Sequence, residues 1–240
     1  MNAKFFLLAA AALPCGAWAD EPQARKWKEQ AEFSMVSTNG NSKATTVSAK
    51  NSLGYDFSSL SKLETQAGAL GSRSQETVTA EQYYASEQVS YKVSDRNYIF
   101  EKYRWNRDRF AQVAHRHEIS AGVGRELWKT PKDLLIGEAA PGYFNEQRMD
   151  APRKDYASGR LYAKYAHQFS ATAQLSQDAE YLQSLQLGKD NRLSAETALT
   201  AILTKFLSCK VSYVWKHDSR PAPGVRKDDT ITAVALIATF

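Results

Sequence analysis

Residues 46–57 alternate without a break. Val47, Ala49, Leu53, Tyr55 and Phe57 share one side with Asn51, while Thr46, Ser48, Lys50, Ser52, Gly54 and Asp56 share the other. A period of two sends successive side chains to opposite faces of an extended strand, so this segment carries one apolar face and one polar face. The pattern returns over 83–93, 157–169 and 207–218. Past the N-terminal segment no run of ten residues is wholly apolar. A membrane-crossing helix needs about 20 such residues, so the chain is expected to build sheet.

Reading the whole sequence this way gives strands near 27–37, 44–57, 62–71, 82–93, 97–107, 115–128, 134–146, 156–168, 171–182, 191–203, 207–218 and 230–240. The facing of 97–107 is open, because Tyr98 and Phe100 compete with Ile99, Tyr103 and Trp105 for the apolar side. The connections alternate in length. Those at 58–61, 94–96, 129–133, 168–170 and 204–206 are short, while 72–81, 108–114, 147–155, 183–190 and 219–229 are longer and polar. The first, Thr38-Asn39-Gly40-Asn41, is a tight turn on the long side. Short turns on one side and long loops on the other, with an even strand count, mark an outer-membrane barrel with both termini on the periplasmic side. The expected fold class is all-β, a closed antiparallel up-and-down transmembrane β-barrel of about 12 strands.

A soluble barrel would turn its apolar face inward. Here the polar face carries ions of both signs, among them Lys50, Glu64, Arg116, Glu118, Arg160, Lys164, Arg192, Glu196 and Lys210. Each ion costs several kcal/mol in a dry core, so the polar face must line a lumen and the apolar face must meet lipid. Tyr55, Tyr91, Trp128, Tyr143, Tyr213 and Trp215 lie near strand ends, as interfacial girdles require.

The N-terminus reads as an export signal: Lys4, an apolar run over 5–12, then Ala17-Trp18-Ala19, with cleavage expected after Ala19. Residues 1–19 are then a signal peptide, 20–26 a short periplasmic segment and 27–240 the barrel. Pro14 before Cys15 argues against a lipoprotein signal, and cleavage leaves Cys209 as the sole cysteine, with no internal disulfide. The formal charge of +5 is spread along the chain. Nucleic-acid binding would call for a basic stripe, so no nucleic-acid partner is expected.

The last strand places Val234, Leu236, Ala238 and Phe240 on one face. A terminal aromatic on a terminal strand looks like an assembly signal, so Phe240 is expected to engage the barrel-assembly machinery as well as to close the lipid-facing belt. The other expected partners are outer-membrane lipid and small solutes.

Several stretches together resemble the salt-induced outer membrane proteins, a bacterial family built around a domain of unknown function. They are Thr38-Asn39-Gly40-Asn41, Asp108-Arg109-Phe110, Gly122-Val123-Gly124, Glu138-Ala139-Ala140-Pro141-Gly142-Tyr143, Ser194-Ala195-Glu196-Thr197-Ala198-Leu199-Thr200 and Pro221-Ala222-Pro223-Gly224-Val225. Their order along the chain carries the resemblance. It implies an outer-membrane barrel linked to salt or osmotic stress and transfers no catalytic residue.

Enzymatic chemistry has one candidate, His115 and His117 beside Asp108, since an Asp/His pair could activate water. Alternation, however, puts both histidines on the outward face of Ile119, Ala121 and Val123. Metal-ligand spacing is absent, Gly122-Val123-Gly124 lacks the helix of a phosphate loop, and no cofactor is expected. Glu138 is expected in the lumen, ion-paired with Arg160 or Lys164 rather than acting as an acid. The reading is therefore a non-enzymatic barrel, either a narrow channel or a stress-related envelope protein. The alternative is a hydrolase acting on lipid or peptide at the extracellular rim.

Overall fold

A computed structural model describes residues 26–38, 44–186, 188 and 190–240. The expected signal with Ala17 and Ala19, the segment over 20–25 and the turn Asn39-Gly40-Asn41 lie outside the described residues. The chain forms β1 (Trp27–Thr38), β2 (Ala44–Asp56), β3 (Ser61–Ser74), β4 (Thr77–Lys92), β5 (Asn97–Asp108) and β6 (Val113–Lys129). It continues as β7 (Asp133–Arg148), β8 (Lys154–Ser170), β9 (Ala173–Ser184), β10 (Asn191–Ile202), β11 (Leu207–Asp218) and β12 (Asp228–Thr239). Every strand pairs antiparallel with its sequence neighbours, and β1 closes the ring on β12 through Phe33↔Leu236. Closure leaves no strand edge unpaired, which hydrocarbon demands of a sheet.

The expected faces hold. Val47, Val89, Val123, Leu161, Val211, Val234 and Leu236 are exposed on the outer wall. Their polar neighbours point inward, where Ser34, Glu118, Glu138, Arg160, Glu180 and Lys210 are buried. The open facing of β5 is decided by its lumen neighbours: Phe100 is buried inward, while Ile99 and Tyr103 are exposed outward. Phe100 takes the polar side because the guanidinium of Arg160 lies 5.7 Å from its ring centroid, a cation–π contact that gives an aromatic a place in a charged lumen.

Two connections differ from expectation. The expected long loop over 108–114 is only the four residues 109–112, no longer than the turn over 93–96. The long loop over 72–81 shrinks to Gln75 and Glu76, between β3 and β4. Both have positive φ, 47° and 68°, the two-residue hairpin geometry whose twist matches the flanking strands. Arg73, Ser74, Thr77 and Thr79 give no apolar alternation, so the sequence reads as loop although the ladder continues. Strands β6 and β8 have 17 residues each, whereas a tilted span needs about 9–11. The surplus carries the wall past the hydrocarbon core.

The two rims have different aromatic neighbours. Where the termini lie, the turn end, Tyr91 and Trp128 face outward; at the opposite loop end Tyr143 and Tyr213 do so. All four histidines sit among such residues. His117 Nδ1 is 2.8 Å from the Tyr103 hydroxyl, His167 Nδ1 is 2.7 Å from Asp133 Oδ1, and His217 Nδ1 is 2.8 Å from Asp228 Oδ1. Trp105 Nε1 donates to His115 Nδ1 at 3.3 Å.

Candidate functional site

The chemistry of the chain is concentrated in the lumen. Five strands contribute to its central layer: Lys102 and Arg104 from β5, Glu118 from β6, Glu138 from β7, Arg160 from β8 and Glu180 from β9. Each lies at an inward position of the alternating pattern, so the period of two itself assembles the cluster. Arg160, 1% exposed, donates from Nη1 to Glu138 at 2.8 Å and from Nε to Glu180 at 2.7 Å. Arg104 donates to both oxygens of the same Glu180, at 2.5 and 2.9 Å, and its Nη1 lies 3.7 Å from Glu118. Since β5 and β9 are four strands apart in the ring, the Arg104–Glu180 pair crosses the lumen.

Neighbouring side chains brace this layer. Tyr98 and Gln88 both donate to Glu138 Oε1, at 2.8 and 3.1 Å. The ring of Tyr162 lies 5.0 Å from the Arg160 guanidinium on one side and 6.0 Å from Lys102 Nζ. Three cations face three carboxylates in this layer, so it presents no ring of single sign. Charge-assisted forks of this kind are directional as well as strong, and they fix Arg104, Glu138, Arg160 and Glu180 relative to one another. Ser120 Oγ, Ser158 Oγ, Glu118 Oε1 and Arg160 Nη2 are buried with no protein partner among the described residues.

A second layer closes toward the loop end. Glu146 accepts from Arg116 Nε, Arg148 Nε and Arg192 Nη2, each at 2.7 Å. Arg192 also donates to the Tyr156 hydroxyl at 2.8 Å and lies over the Phe144 ring at 5.6 Å. Phe144 and Tyr156 stack with centroids 5.2 Å apart. Arg148 Nη2 reaches the Arg220 carbonyl at 2.9 Å, tying the β11–β12 connection over the mouth. Lys216 Nζ donates to Gln82 Oε1 at 3.2 Å, from β11 to β4. On the turn side Lys210 bridges Glu32 and Glu196 at 2.8 and 3.2 Å.

The expected residues fall into place unevenly. Glu138 lies in the lumen and pairs with Arg160, as expected. His115 and His117 face outward, as expected. Asp108 points the other way: it accepts from Gln82 Nε2 at 2.9 Å and from the Phe110 and Ala111 amides at 3.1 and 3.0 Å. Asp108 is therefore not paired with either histidine, and the Asp/His pair present at the loop end is Asp228 with His217. Phe240 donates its amide to the Glu29 carbonyl at 3.0 Å and leaves its ring exposed on the outer face. Arg104, Glu180 and Glu146, the hubs of both layers, escaped the sequence reading. For Arg104 the unresolved facing of β5 hid it. For Glu180 the alternation of Ser176, Asp178 and Glu180 against Leu175, Ala179 and Tyr181 was a usable signal.

Comparison with solved structures supports the same architecture. The translocator domain of autotransporter NalP from Neisseria meningitidis superposes with a TM-score of 0.56 at 11% identity, over 91% of this chain and 89% of that one. The NanC porin superposes with a TM-score of 0.54 at 8% identity, over 88% of this chain and 97% of that one. The likeness is one of fold. In sequence, the chain is 22% identical over 204 residues to the uncharacterized protein YdiY of Escherichia coli (strain K12), covering 84% of this chain and 79% of that protein. Residues 31–240 match the family model described as protein of unknown function, DUF481. The resemblance noted in the sequence and the closed barrel thus converge, and the chain belongs to the DUF481 family.

Proposed function

We propose that the protein is an integral outer-membrane barrel whose lumen is a narrow, ion-paired passage for water and small solutes, not a wide pore. The observation that carries this reading is the Arg104–Glu180 fork, which spans the lumen between strands four places apart at the level where Arg160 is fully enclosed. A 12-stranded ring is wide enough for its interior to be open or filled by side chains; here inward side chains from the five adjacent strands β5 to β9 narrow it. The outward apolar belt meets lipid, the turn end faces the periplasm, and the loop end faces outside, as short turns and long loops are distributed in such barrels. The envelope role under salt stress implied by the family resemblance fits a passage restricted to small solutes.

Liposome swelling tests this directly. Vesicles carrying the refolded barrel should swell no faster than empty vesicles in a trisaccharide. Replacing Arg104 and Glu180 together by alanine should admit the sugar. Rapid trisaccharide entry through the unaltered protein would overturn the proposal.

A further inference from the structure

The outer wall is not uniformly convex. Between β5 and β10 it carries a groove of about 790 Å³, floored by Gly137, Ala139, Ala163 and Ala179 and overhung by Leu127 and Leu161. The register explains the depression. Arg125, Gly137, Ala163 and Ala179 are successive cross-strand partners on β6, β7, β8 and β9, so the small side chains fall side by side. Leu127 folds over this floor from a bulge in β6, where a Cβ on Gly137 would sit 3.1 Å from Leu127 Cδ1. Pairing of strands at about 4.8 Å makes the row from Arg125 to Ala179 about 14 Å long, the length of a fatty-acyl chain segment.

Arg125 stands at one end of this groove on the outward face, level with Asn97, the first residue of β5. Its side chain is exposed and has no hydrogen-bond or ion-pair partner among the described residues. An unpaired guanidinium on a lipid-facing wall is costly unless it reaches the headgroup level and meets an anion. Its position at the turn end puts it in the leaflet on the periplasmic side, which is built of glycerophospholipid.

We propose that the groove binds an anionic glycerophospholipid, with its phosphate on Arg125 and one acyl chain along the Gly137–Ala163–Ala179 floor. The proposal rests on the membrane-spanning reading. Charge complementarity selects the headgroup, and the apolar floor selects a chain over a soluble anion. A bound lipid of this kind fills a hollow that ordinary fluid chains would pack loosely.

The test is native mass spectrometry of the purified mature barrel, delipidated and titrated with dioleoyl-phosphatidylglycerol or dioleoyl-phosphatidylethanolamine. One phosphatidylglycerol should be retained in preference to phosphatidylethanolamine, and Arg125→Gln should reduce that retention about fivefold, the contribution of one basic residue near anionic lipid. Ala163→Trp, which fills the floor, should reduce retention of both lipids. Heat-modifiable gel migration and insertion into vesicles, measured on every variant, separate failure to fold or insert from failure to bind. No retained lipid in an inserted barrel, equal retention by Arg125→Gln, or a two-copy species abolished by Ala163→Trp would overturn it; the last would make the groove a contact between copies.

Discussion

Arg104 and Glu180 lie on strands four places apart in the ring, yet they meet through two hydrogen bonds of 2.5 and 2.9 Å. Glu180 also accepts from Arg160, so one carboxylate serves two guanidiniums. Removing it leaves Arg160 with Glu138 alone and Arg104 with only Glu118, 3.7 Å away. Glu180→Gln should destabilise the barrel by about 2–3 kcal/mol, somewhat below the usual cost of breaking a buried pair because solvent reaches Arg104. Urea unfolding in lipid vesicles, followed by tryptophan fluorescence, measures the loss. The double variant Arg104→Ala/Glu180→Ala should lose less than the two single alanine variants summed.

Tyr98 closes over a residue without a side chain. A Cβ on Gly124 would lie 2.1 Å from the Tyr98 ring, so Gly124→Val must push Tyr98 away from Glu138. The expected cost is about 1–3 kcal/mol, the range for overpacking. Gly124→Val/Tyr98→Ala should recover part of it in the same unfolding assay. Equal losses with and without Tyr98 would show that the glycine serves the backbone alone.

The outer wall gives a depth-sensitive test of the membrane reading. Leu161, 57% exposed near the middle of β8, should tolerate aromatic or aliphatic replacement. Leu161→Arg should cost about 2–4 kcal/mol in vesicles, as arginine does at the midplane of a barrel's lipid face. An unchanged unfolding midpoint would place this face in water.

Phe240 has two expected roles that one deletion separates. Its ring extends the outward belt of Val234 and Leu236, and its amide bonds to Glu29 at the start of the closing pair. Deleting Phe240 should lower the amount of barrel assembled in the cell's outer membrane by several-fold while leaving the solute uptake of refolded protein unchanged. Normal assembly would remove the signal role and leave the belt role.

Much of this was legible because barrel strands report their environment at every second residue. Strands such as β2 and β11, with lipid on one face and ions on the other, could be read almost to the residue. The β3–β4 hairpin could not, since Arg73 to Thr79 stand in water on both faces and no period survives. Phe100 leaves the facing of β5 open for a different reason: its partner Arg160 lies three strands away, and sequence alternation carries no information across the bore. The same limit hid the Arg104–Glu180 fork. Sequence placed Glu138 inward with a cation on the next strand, because register links neighbours; it could not say that β5 and β8 meet on one carboxylate of β9.

Single-channel recording in planar bilayers tests the ion-paired lumen most directly. The unaltered barrel should insert with small or no current steps, and Arg104→Ala/Glu180→Ala should produce steps several-fold larger at the same voltage. Large, steady steps from the unaltered protein, unchanged in the double variant, would contradict a lumen closed by Arg104 and Glu180.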